Sequence, residues 1–127
     1  AGLLCTHSLP DCTRMHGFDQ SILERGLEPG DYEGITGSAW MLTWGRSHED
    51  EQLEELAERW NVSTFCIGHQ FVEEGISRLG HRLVAVNSDH VRGVAVPWKL
   101  EQSPSPESLI EAAIPLQTVP VPEAGAS

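Results

Sequence analysis

The chain has 127 residues, 39% of them hydrophobic and 21% charged, which is enough for one domain with one core and too few for two independent ones. Nineteen acids against eight Lys and Arg give a net charge of −11, and no basic stripe stands out, which excludes nucleic-acid binding through a basic surface. No apolar run approaches the roughly 20 residues that a membrane-spanning helix needs.

The chain opens at Ala1-Gly2-Leu3-Leu4, without an initiator Met and already in strand-like sequence, as expected of a processed product or a fragment of something longer. A first strand over about Gly2–Thr6 ends at His7, and Pro10-Asp11 begins a turn-rich stretch. Phe18–Arg25 has Phe18, Ile22 and Leu23 on one helical face, with Gly26 as a stop. Glu28-Pro29-Gly30-Asp31 is a turn by composition. Ser38–Trp44 is apolar and too short for its period to separate helix from strand.

The spacing predicts a helix over His48–Trp60, where Leu53, Leu56, Ala57 and Trp60 recur at i, i+3, i+4 and i+7 opposite the acids. Ser47 is the expected cap, with Asp50 in the capping-box position. Asn61-Val62-Ser63 matches a glycosylation sequon but reads as a helix-to-strand turn, and Thr64–Ile67 follows as a strand. A short helix is expected over Val72–Leu79, a central strand over Arg82–Asn87, and another strand over Val91–Trp98 that Pro97 ends. From residue 101 onward there is no Lys or Arg, and Pro is frequent. A short helix over Pro106–Ile114, carrying Leu109, Ile110 and Ala113, is expected there before a disordered tail. The expected organisation is therefore one domain over 1–100 and a Pro-rich acidic tail over 101–127.

Three cysteines, with no C-x-x-C spacing, suit a reducing cytoplasm better than a disulfide scaffold. Cys5 and Cys66 fall inside predicted strands, where a thiol behaves as a small hydrophobe. Of the six histidines, His16 and His81 lie in polar turns and His48 opens the acidic helix. His7, His69 and His90 each follow a strand-like run. In open α/β sheets ligands collect outside the carboxyl ends of strands, and a neutral imidazole there is a good ligand for Zn, Mn or Fe. Gly68 lets the backbone turn tightly before His69. Two histidines do not complete a metal shell, and Asp11 and Asp89 are the nearest carboxylates in sequence.

Leu4-Cys5-Thr6-His7-Ser8-Leu9-Pro10-Asp11 and Phe65-Cys66-Ile67-Gly68-His69-Gln70 resemble two blocks of the calcineurin-like metallophosphoesterases, nearest the Ser/Thr phosphoprotein phosphatase branch. Met41-Leu42-Thr43-Trp44, Val72-Glu73-Glu74-Gly75 and Leu83–Asp89 with Gly93-Val94-Ala95-Val96 continue the match in order over roughly residues 2–100. The resemblance implies an α/β fold, here the C-terminal half of a metallophosphoesterase-type β-sandwich flanked by helices. It implies that His7 and His69 ligate the same one of two divalent metals, Mn, Fe or Zn. It places His90 near the loop that borders the substrate pocket, and Arg46 near a phosphate-contacting arginine. Phe71 stands where related sequences often carry Pro.

The family's GDxHG, GDxxDRG and GNHE blocks have no counterpart in the chain, which holds two of about seven metal ligands of the family. The implied activity of an intact parent is hydrolysis of a phosphomonoester or phosphoprotein by a metal-bridging hydroxide. The isolated chain is expected to be inactive. The alternative is a degenerate phosphatase fold kept as a binding or regulatory module. A cysteine hydrolase is the weakest reading, because a strand-buried thiol lacks the electropositive surroundings that activate a nucleophile.

Overall fold

In the computed structural model, which describes residues 2–125, the sequence folds as mixed α/β. Strands β1 (Gly2–Thr6), β2 (Val62–Ile67), β3 (Ile76–Arg78) and β4 (Leu83–Val86) form one sheet in the order β1-β2-β4-β3. β1 and β2 are parallel, β2 and β4 are parallel, and β3 runs antiparallel to β4. β1 is an edge strand, and three parallel strands end on the same side of the sheet.

Alternation along the strands creates two faces. Phe65, Ile67, Leu83 and Ala85 turn to the face covered by helix, where they meet Leu53, Leu56 and Ala57 in one buried cluster. Two helices precede that sheet position in sequence, α1 (Ser38–Trp44) and α2 (Asp50–Trp60). α2 supplies the buried stripe, as its periodicity predicts, with Leu53 and Leu56 only 1% exposed. Burial of each such side chain contributes about 1.5–3 kcal/mol.

The helix starts two residues later than expected. Glu49 and Gln52 form the capping box, not Ser47 and Asp50, because the Ser47 N–H is already committed to Asp11 Oδ1. Asn61 closes the helix in the left-handed region, φ 53°, and turns the chain into β2. The short apolar stretch over Ser38–Trp44 resolves as helix, burying Ser38, Ala39 and Met41.

Three other expectations change. Phe18–Arg25 forms only a 3-10 turn, Gln20–Leu23, while Phe18 packs against Trp60 at 5.0 Å between ring centroids. Val72–Leu79 is not a helix: Gly75 sits at φ 80°, which breaks any helical run, and Ile76–Arg78 pairs with β4 instead. The strand expected over Val91–Trp98 shrinks to β5 (Val94–Ala95).

On the other face of the sheet, helix α3 (Pro106–Ala112) packs against β3 and β4 and buries Leu109 to 1% exposure. Ser105 caps it, and Thr64 Oγ1 donates to the Pro104 carbonyl at 3.1 Å. The expected disordered tail falls partly on residues 126–127, outside the described residues. Ahead of them β6 (Ile114–Pro115) pairs antiparallel with β5 and a 3-10 turn follows at Leu116–Thr118. Among the described residues no helix is long and apolar enough to cross a membrane.

Candidate metal centre

His7 is the first residue after β1, and His69 is the second after β2. Because the two strands are parallel neighbours, both imidazoles emerge at the same end of the sheet. The His7 carbonyl accepts from the backbone N–H of Gly68 at 3.1 Å and of His69 at 2.8 Å, which fixes one turn against the other. The rings then meet: His7 Nε2 lies 2.8 Å from His69 Nδ1, with centroids 4.7 Å apart and planes at 66°. One nitrogen of that contact must carry a proton and the other a lone pair, so the pair cannot hold a proton on both facing nitrogens. Gly68 does not adopt positive φ; a Cβ there would stand 3.9 Å from His7 Nδ1.

A second layer comes from the loop after α1. The Trp44 indole meets the His69 ring edge-on at 5.7 Å. Asp11 Oδ1 accepts from the backbone N–H of Arg46 at 2.7 Å and of Ser47 at 2.8 Å. Gln70 Nε2 donates to the Arg46 carbonyl at 3.1 Å. Ser8 Oγ donates to the Gly45 carbonyl, and its N–H donates to Leu42 O at 2.6 Å. Gly45 is required here by close approach, since any Cβ would run into the Leu9 carbonyl. These bonds tie residues 44–48 to the turn that carries His7.

His48 enters this layer, contrary to its expected place on a solvated helix start. Its Nε2 lies 3.5 Å from Ser8 Oγ, and its Nδ1 is buried without a partner among the described residues. Ser8 is fully buried and its proton is committed to Gly45, so it is not a nucleophile. Burial holds the His48 pKa below its ordinary value, against the opposing charge of Asp11. Burial likewise lowers His69, and the charges of Arg46 and His7 add to it. For Asp11, burial alone would raise the carboxyl, but the N–H groups of Ser47 and Arg46 outweigh it and hold the pKa low.

The other expected site residues are placed differently. Arg46 stands near His69 with no carboxylate in ion-pair range among the described residues, so its charge is available to an anion. His90 is not brought to the pair. Its Nδ1 accepts from the Arg92 N–H at 3.2 Å, its Nε2 faces the Val72 carbonyl at 3.1 Å, and its ring packs on Phe71 at 4.9 Å. Its Nδ1 is thus used by its own turn and its Nε2, which carries the proton, by the distant Val72 carbonyl.

Do the histidines fit a metal? Two nitrogens bound to one Zn at about 2.0–2.1 Å and at the tetrahedral angle stand about 3.3–3.4 Å apart. The 2.8 Å between His7 Nε2 and His69 Nδ1 is shorter than that edge and is the spacing of an N–H···N hydrogen bond, so the rings must part by about half an ångström to admit an ion. A ligating histidine also needs a partner for its other nitrogen, and His69 Nε2 is buried with none among the described residues. The pair therefore offers two adjacent donor nitrogens, and it fits one ion only once the rings part and His69 Nε2 gains a partner. It does not fit as a whole centre, because among the described residues no three His, Cys, Asp or Glu converge. Asp11, the carboxylate nearest in sequence, has one oxygen committed to backbone N–H groups. No protein-family model, curated protein or solved structure matches the chain.

Proposed function

We propose that this chain contributes the His7–His69 part of a metal centre to a metal-dependent phosphoesterase of the calcineurin-like type. The observation that carries the reading is the 2.8 Å approach of two imidazole nitrogens at the ends of adjacent parallel strands. On this reading the four-stranded sheet is one layer of a β-sandwich, and the remaining ligands come from outside the reach of these residues. Divalent ions bound there would activate a water and stabilise charge on the phosphoryl oxygens. His7 and His69 would hold one of them through His7 Nε2 and His69 Nδ1, both deprotonated. Arg46 is the cation beside the pair that would orient the phosphoryl group, and Trp44 would shield one side of His69 from water.

The test is metal-dependent hydrolysis of p-nitrophenyl phosphate by the protein expressed from its full coding sequence. His7→Ala and His69→Ala should each abolish turnover and lower the bound metal. Unchanged turnover and metal content in either variant overturns the assignment. Residues 1–127 alone should show no turnover. A second reading, a non-catalytic phosphatase-fold module, rests on the pair standing without a third His, Cys, Asp or Glu in ligating reach among the described residues. Coding sequence that supplies Asp, His and Asn ligand blocks favours the enzyme over the module.

A further inference from the structure

We propose that Cys5 and Cys66 form a reversible disulfide across β1 and β2 when the protein meets a low-molecular-weight disulfide such as oxidised glutathione. The two residues are direct register partners in the parallel ladder, so both side chains stand on the same face of the sheet. Neighbouring strands lie about 4.7–4.9 Å apart, inside the roughly 4.4–6.8 Å between Cα atoms that a disulfide spans. Parallel neighbours hold their Cβ atoms somewhat farther apart than the mean of about 3.8 Å in a relaxed bridge, so the bond requires a small approach of one strand. β1 can make it, being hydrogen-bonded on one side only. The resulting bond is strained, and strained bridges are the ones a thiol buffer reduces again.

Access is asymmetric in a way that favours closure. Cys5 is exposed and lines a surface cavity of about 360 Å³ with Leu3, Trp98, Leu100 and Pro104, which leaves it open to a small disulfide from solvent. Cys66 is half-buried beside it and is positioned to resolve an adduct rather than to receive one. The third thiol, Cys12, points into the loop, where it contacts Gln52 Oε1 at 3.2 Å and Ser47 O at 3.6 Å.

The chemistry balances with one small disulfide. The Cys5 sulfur, after releasing its proton, attacks one sulfur of the small disulfide, whose S–S bond breaks, and the departing thiolate takes up a proton. The Cys66 sulfur then loses its proton and attacks the Cys5 sulfur of the mixed disulfide, expelling the second small thiol. Two protein thiols are oxidised and one small disulfide is reduced to two thiols. The bridge lies two residues before His7 and three before His69, so it locks the two strands that carry the histidine pair.

Intact mass after incubation of the native chain with excess oxidised glutathione tests the proposal. The expected product has lost two of its three free thiols and two hydrogens and retains no glutathione. Dithiothreitol should restore all three. Cys12→Ser should behave like the wild type, while Cys5→Ala and Cys66→Ala should form no internal bridge. A wild-type chain that keeps a glutathione adduct, keeps three free thiols or bridges through Cys12 overturns the proposal. Non-reducing peptide mapping of the oxidised wild type identifies which two cysteines are joined, so a variant that fails to fold does not obscure these outcomes.

Discussion

His69 is joined to His7 twice, by a 2.8 Å bond from its backbone N–H to the His7 carbonyl and by a 2.8 Å approach of ring nitrogen to ring nitrogen. The backbone bond survives truncation of either side chain; the ring contact does not. His7→Ala and His69→Ala should therefore leave the fold intact and weaken binding of Co²⁺ or Zn²⁺ by at least about tenfold, the smaller end of what losing only a supporting partner costs. Titration followed by the visible absorption of Co²⁺ measures it. Equal affinity in wild type and variants would remove the pair from the ligand set.

Acid should destabilise the protein before its carboxylates titrate. His48 and His69 both have folded pKa values below the unfolded value of about 6.5, because burial disfavours their charged forms. Below that pH the unfolded chain binds more protons than the folded one, so stability is complete above about pH 6.5 and falls as the pH is lowered through it. Melting temperatures between pH 7.5 and 5.5 should decline, and His48→Gln should flatten the decline. A profile that is level over this window counts against both assignments, and one that His48→Gln leaves as steep counts against that of His48.

Gly45→Ala addresses the second layer. Its Cβ has no room against the Leu9 carbonyl, and the Gly45 carbonyl is the acceptor for Ser8. Overpacking of this kind costs about 1–3 kcal/mol. The loss should appear as a lower denaturant midpoint. An unchanged midpoint would show that the loop relaxes freely, and with it the positions of Arg46 and His48.

Leu109→Ala tests whether the last quarter of the chain belongs to the domain. Leu109, on the buried side of α3, is 1% exposed, and truncating such a side chain costs about 2–5 kcal/mol. Removal of residues 101–127 should cost at least as much in urea unfolding. A shortened chain as stable as the whole would make α3 a dispensable appendage.

Periodicity made α2 and the central strands legible, because a stripe such as Leu53, Leu56, Ala57 and Trp60 fits one geometry only. The placement of His7 and His69 at strand ends was also readable, since each follows an apolar run. Their approach depends on β1 and β2 being parallel neighbours in a particular register, a long-range fact with no local signal. His48 was missed for the same reason: its burial follows from Asp11 binding Arg46 and Ser47, residues 35 and 36 positions away. The helix expected over Val72–Leu79 failed at Gly75, whose positive φ is a tertiary outcome. β5 and β6 are too short to carry any pattern.

The peripheral position of β1 gives the histidine pair a clock of its own. A strand held on one flank detaches more cheaply than the Phe65–Leu83 interior, but Leu9, two residues after His7, is fully buried in the core cluster, so parting His7 from His69 also opens that corner of the core. The lifetime of the assembled pair is then set by that local opening. Amide exchange at His69, whose N–H is bound only while β1 is docked, reads that lifetime directly.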